Sequence, residues 1–133
     1  MRVVAAILVP WIVWGLLDTV VYMGALQVSP DSFGVDGEPL TVAMLAVFLV
    51  LRAVYSILAG WIAGRLSGGL GRAPRAVTLL LLLTGIVAQL VNRGMYPLWY
   101  HIVFLASIVP CVSLGLRLGA NSNAPLDARS REA

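Results

Sequence analysis

Four long apolar stretches, separated by short polar connections, decide what this chain can become. They cover about residues 3–26, 40–64, 76–92 and 97–118. A helix needs about 20 apolar residues to cross the hydrocarbon core of a bilayer, whereas strands of a membrane barrel run to about 10 and alternate in polarity. The pattern therefore predicts an all-α fold: a bundle of four transmembrane helices, up-down-up-down, forming one domain over 1–118. The polar stretch 119–133 is expected to be a disordered tail. Composition agrees. Of 133 residues, 60% are hydrophobic and only 11% charged, against about 25% charged in a soluble domain. The mean hydropathy is +0.94.

The charges that remain are informative by position. All nine basic residues are arginines, and most flank the apolar runs. The net charge of +3 is thus a topology signal rather than a nucleic-acid signal. If both termini lie on one side, that side carries Arg2, Arg65, Arg72, Arg75, Arg117, Arg129 and Arg131, and the other carries Arg93 with the acidic loop Asp31, Asp36 and Glu38. The positive-inside rule then places both termini in the cytoplasm. The absence of lysine beside abundant Ala, Gly, Val and Arg points to a GC-rich bacterial genome, hence to the inner membrane. The first span, with Pro10 and Asp18 inside it, reads as an uncleaved helix, since no clean small-x-small cleavage site follows it. Pro10 and Pro110 are expected kinks.

Arg52 stands near the middle of the second span. Insertion scales put such a residue at roughly 2.5–3.5 kcal/mol unfavourable, so it must face protein or water. Asp18 is its natural partner. At about 1.5 Å per residue, Asp18 lies about 12 Å and Arg52 about 18 Å below the outer boundary, a gap an arginine side chain can bridge by snorkelling. On the same count Gln89 and His101 lie about 6 Å deep. These residues, with Tyr55 and Ser56 on the Arg52 face, form an expected polar seam. Trp11, Trp14 and Tyr22 share the Asp18 face and are the expected wall of a pocket. Ala59, Gly60, Ala63 and Gly64 continue the Arg52 stripe, and small residues there let helix backbones approach closely. The GxxxG spacing of Gly60 and Gly64 is read as packing within the bundle. Val54 and Trp61, on the opposite side, are expected to face lipid. Tyr22, Tyr96, Trp99 and Tyr100 are expected near the outer interface, and Trp61 near the inner one, as aromatic belts.

Several chemistries are not supported. The acids of 31–38 lack the spacing of a calcium loop. Gly68, Gly69 and Gly71 precede no Lys-Ser/Thr and follow no strand, so they form no phosphate loop. The Arg65–Arg75 segment is instead expected to be a flexible connection near anionic lipid headgroups. His101 has no second histidine beside it, and Cys111 stands alone. No metal, cofactor or catalytic group is assigned, and an enzyme is not expected.

The segments Arg52-Ala-Val-Tyr-Ser56, Gly60-Trp-Ile-Ala-Gly-Arg-Leu66 and Pro97-Leu-Trp-Tyr-His101, with Pro110 and Gly115, resemble a pattern in small uncharacterised bacterial four-helix integral membrane proteins. The resemblance covers the last three spans and implies no activity. The acid in the first span is similar, in architecture only, to that of small multidrug-resistance transporters, which use a carboxylate there for proton and cation exchange. Two functions follow as expectations. The first is a non-enzymatic accessory or assembly subunit, packed around the Asp18–Arg52 pair, with the lipid bilayer and a second copy or another membrane protein as partners. The alternative is a small transporter or channel with an outward-opening cavity lined by Asp18, Arg52, Gln89, His101 and Trp11/Trp14.

Overall fold

A computed structural model of the chain describes residues 1–68 and 72–122. It contains four α-helices: α1 (Arg2–Val28), α2 (Val42–Ser67), α3 (Arg72–Val91) and α4 (Leu98–Asn121). Each is long and apolar enough to cross a membrane. Pro10 and Pro110 lie inside α1 and α4, and both helices continue through them.

The helix ends follow local chemistry. α1 closes with the Ser29 amide donating to the Ala25 carbonyl at 2.9 Å, just ahead of Pro30, which disfavours helix in the residue before it. α2 starts at Thr41, whose Oγ1 accepts from the Met44 amide at 3.2 Å, satisfying one of the orphan donors of the first turn. It ends at Gly68, in the left-handed conformation at φ 67°, where a side chain would be strained. Arg65 in its last turn complements the helix dipole.

The α1–α2 connection is more structured than its acidic, solvated composition predicts. A 3-10 turn at Pro30–Ser32 leads into an isolated bridge between Phe33 and Pro39. The Gly34 amide donates to the Glu38 carbonyl at 2.8 Å, and the Leu40 amide to Ser32 at 2.9 Å. Gly37 turns the chain at φ 81°, and its carbonyl accepts from the Tyr22 hydroxyl at 2.8 Å. Phe33 is buried, with its ring 6.0 Å from Tyr22 and 6.2 Å from Phe48. The loop therefore folds back as a cap on the ends of α1 and α2.

The tightest packing is between α2 and α4, and it is made by glycine. A Cβ placed on Gly60 would lie 2.2 Å from the Val112 carbonyl oxygen, and one on Gly64 2.5 Å from that of Leu116. From the other side, a Cβ on Gly115 would lie 2.0 Å from the Ile57 oxygen, and one on Gly119 2.2 Å from that of Trp61. Two GxxxG pairs thus face each other, backbone against backbone, with Ala59 and Ala63 fully buried beside them. Contacts advance in step along both helices. Such proximity lets the two backbones make dispersion and Cα–H···O contacts. Toward the other end of the interface the core becomes aromatic: Trp14, Phe48, Tyr55, Tyr100 and Phe104 are buried there.

The element boundaries differ from the expected spans in two places. α3 begins at Arg72, so the end of the expected Gly-rich connection is helical; 69–71 lie outside the described residues. α4 runs to Asn121, three residues into the expected tail, because Gly119 packs against α2 instead of ending the helix. The expected disorder of 123–133 lies outside the described residues.

Candidate functional site

The charges inside the long apolar helices meet. Arg52 Nε donates to Asp18 Oδ1 at 2.8 Å and Nη2 to Oδ2 at 3.2 Å. This is the bidentate arrangement in which a planar guanidinium matches a carboxylate best. The Tyr55 hydroxyl, one turn on from Arg52, makes a short hydrogen bond to the same Oδ1. The third guanidinium nitrogen, Nη1, donates to the Tyr100 hydroxyl of α4 at 2.9 Å. The network therefore joins α1, α2 and α4, and each guanidinium nitrogen and each carboxylate oxygen has a partner. Among the described residues no buried side-chain nitrogen or oxygen lacks a hydrogen bond.

An aromatic ladder carries the arginine. Tyr96, Tyr100 and Phe104 stand at four-residue spacing, with the Tyr96 and Tyr100 rings stacked at 4.8 Å. Arg52 Cζ lies 4.8 Å from the Phe104 centroid, 5.7 Å from Tyr100 and 5.9 Å from Tyr96, within cation–π range of all three. Tyr100 is fully buried and Tyr96 nearly so. They are thus interior supports of the arginine, whereas Trp99 is 42% exposed. Burial pushes the Tyr96 phenol, in the α3–α4 connection, above its ordinary pKa, so it stays neutral beside the cation.

The remaining seam residues form separate contacts. Trp14 is buried, donates from Nε1 to Ser56 Oγ at 3.0 Å, and stacks on Phe104 at 6.4 Å. Trp11 is partly exposed, and its Nε1 donates to Thr84 Oγ1 at 3.0 Å, tying α1 to α3. His101 pairs with Gln89 through Nδ1, while Nε2 lies 3.0 Å from the Tyr96 carbonyl oxygen. The Gln89 atom facing Nδ1 is the side-chain oxygen Oε1. No hydrogen bond joins this pair to the Asp18 network. The helix-packing residues Ala59, Gly60, Ala63 and Gly64 all lie buried on α2, while Val54 and Trp61 are 57% and 38% exposed.

A cavity of about 210 Å³ adjoins the ion pair, lined by Asp18, Thr19, Tyr22, Arg52, Asn92, Met95 and Tyr96. Gln89, His101, Trp11 and Trp14 do not line it, so of the expected lining it keeps Asp18 and Arg52. The two tryptophans line a different, apolar groove with Gly15 and Thr84. The Asp18 side chain is 29% exposed, against 12% for Arg52, so the carboxylate is the more accessible partner. Among the described residues, no group of three or more His, Cys, Asp and Glu side chains could hold a metal ion.

Sequence reasoning missed Tyr100, Phe104 and the Gly115–Gly119 pair. The signals were present as the 96–100–104 aromatic spacing and a second GxxxG on α4. Comparison of the chain with protein-family models, curated proteins and solved structures finds no match.

Proposed function

We propose that the chain is a non-enzymatic accessory or assembly subunit of the bacterial inner membrane, with four helices crossing up-down-up-down and both termini in the cytoplasm. The observation that carries this reading is the closed Asp18–Arg52–Tyr55–Tyr100 network. Its polar groups satisfy one another, and what they accomplish is to fix the positions of three helices. The seven-to-one arginine distribution supports the orientation. Asp18 pairs with Arg52 and Trp14 with Ser56, in opposite order along α1 and α2, which supports alternation. In this role the exposed apolar faces meet lipid and a partner membrane protein.

A small transporter or channel is the second reading, favoured by the cavity at the partly exposed carboxylate. At about 210 Å³ it falls below the roughly 300–1,000 Å³ typical of small-molecule sites and suits water or a small ion. One comparison separates the two. Asp18→Asn and Arg52→Leu singly leave a buried group unpaired, which costs roughly 3–5 kcal/mol. The double variant Asp18→Leu/Arg52→Leu removes both charges, and its stability in detergent should recover. A structural clamp predicts that the cellular phenotype, and the set of proteins co-purifying in mild detergent, recover with it. Recovered stability with a phenotype still lost would assign the charges to transport.

A further inference from the structure

The cavity beside the ion pair is lined by polar residues whose protons are largely committed elsewhere. The Thr19 hydroxyl donates to the Gly15 carbonyl at 2.9 Å, and the Tyr22 hydroxyl to that of Gly37 at 2.8 Å. Asn92 Nδ2 donates to the Ala88 carbonyl at 2.8 Å. All three residues line the cavity together with Asp18. A hydroxyl that has donated its one proton can only accept, and a carboxylate accepts in any case. What these four side chains still offer a ligand is therefore chiefly lone pairs on oxygen. The cation in the same wall is engaged. Each Arg52 nitrogen already donates to Asp18 or Tyr100, its Cζ lies over the Phe104 ring, and its side chain is less exposed than that of Asp18. Oxygen donors around one accessible carboxylate select a hard cation. The charge count limits which one. Asp18 is the one carboxylate among the described lining residues, and Arg52 offsets it. Divalent ions are held through several carboxylates, or through a carboxylate and phosphates, and this wall has neither. With one acid among four oxygen donors, it also differs from the His, Cys, Asp and Glu clusters that hold transition metals. At about 210 Å³ the space exceeds the ~30 Å³ share of a single water several times over, so an ion enters with water beside it.

We propose that this cavity binds a monovalent alkali cation, held by Asp18, Thr19, Tyr22 and Asn92 and keeping part of its water shell. The proposal goes beyond both readings of the ion-pair network and rests on neither, since a bound cation serves a clamp as a brace and a transporter as cargo. Thr19 and Asn92 lie outside the hydrogen bonds that join Asp18, Arg52, Tyr55 and Tyr100, so the site can be weakened without breaking the network. Losing one polar contact to a charged ligand should cost about tenfold in affinity.

The test uses the full chain purified in a neutral detergent, with sodium chloride, sodium gluconate and N-methylglucamine chloride as probes at one pH and one ionic strength. Melting temperature and the sodium NMR line width are the readouts. Both sodium salts should raise the melting temperature equally above N-methylglucamine chloride, and the protein should broaden the sodium resonance. Thr19→Val and Asn92→Leu should each weaken sodium binding about tenfold, the loss expected for one polar contact to a charge. In each wild-type residue the side chain bonds only to a carbonyl one turn back, so both variants should fold. Gln27→Ala, which does not line the cavity, should bind sodium as wild type does. Asp18→Asn should lose binding altogether; if that variant fails to fold, the Thr19 and Asn92 variants decide. Equal melting in sodium and N-methylglucamine chloride, or unchanged sodium affinity in both Thr19→Val and Asn92→Leu, would overturn the proposal. Stabilisation by both chloride salts over sodium gluconate would overturn it in favour of an anion. Binding is read without a cellular phenotype, so its failure leaves the choice between clamp and transporter where the double variant of Asp18 and Arg52 puts it.

Discussion

Replacing Gly115 by alanine adds one methyl group where the backbones of α2 and α4 already touch. The new Cβ would lie 2.0 Å from the Ile57 oxygen and 2.8 Å from the Trp61 nitrogen. Ordinary contact begins near 3.4 Å, so the helices must part by on the order of 1 Å, and no side-chain rotation can relieve a clash with backbone. A gap of 0.5–1 Å forfeits about a quarter to a half of each dispersion contact across it, and overpacking of this kind costs about 1–3 kcal/mol. Alanine's better helix propensity opposes this by only about 0.5–1 kcal/mol. Gly115→Ala should therefore melt clearly below wild type in detergent. Gly24→Ala, whose Cβ would meet nothing within 4 Å, should melt at or above it. Gly60→Ala added to Gly115→Ala should cost less than it does alone, because the first methyl has already opened the space for the second. Equal melting temperatures for Gly115→Ala and Gly24→Ala would refute the glycine interface.

Tyr55→Phe and Tyr100→Phe each remove a hydrogen bond to a charged group and should each lower stability by about 1.5–3 kcal/mol; if neither shifts a denaturation curve, the network is not the clamp described. Phe33→Ala should loosen the α1–α2 cap, read as faster proteolysis within 29–40 while the helices stay folded; unchanged cleavage would show that Phe33 does not hold the loop. In a Cys111→Ser background, a membrane-impermeant thiol reagent should label Val35→Cys but not Ser122→Cys in intact cells. The reverse pattern would invert the proposed orientation.

The four helices were legible because hydropathy over some 20 residues is a one-dimensional signal. Asp18 and Arg52 were legible for a related reason: depth follows from residue count, and opposite charges in hydrocarbon have few alternatives. Rotation about the helix axis was harder. On α2 the small, polar stripe separated it, and Ala59, Gly60 and Ala63 lie inward as expected. Around the start of α4, Tyr96 and Tyr100 lie where amphipathic rings suit an interface as well as an interior, and sequence does not say that an arginine from another helix passes over them. Gly119 misled for a similar reason. Glycine both ends helices and lets them touch, and only the position of α2 decides which. The loop cap depends on Phe33 reaching Tyr22 and Phe48 across the ends of two helices, a contact that no local pattern encodes.

The ion pair also sets an order of events during synthesis. Asp18 emerges 34 residues before Arg52, so α1 is completed carrying an acid whose base has not yet been made. The acid then has no partner until α2 arrives. The base then waits in turn, because Tyr100 and the Gly115–Gly119 face belong to the last helix. Until α4 is made, the arginine lacks its Tyr100 partner and the glycine face of α2 stays open; α4 closes both.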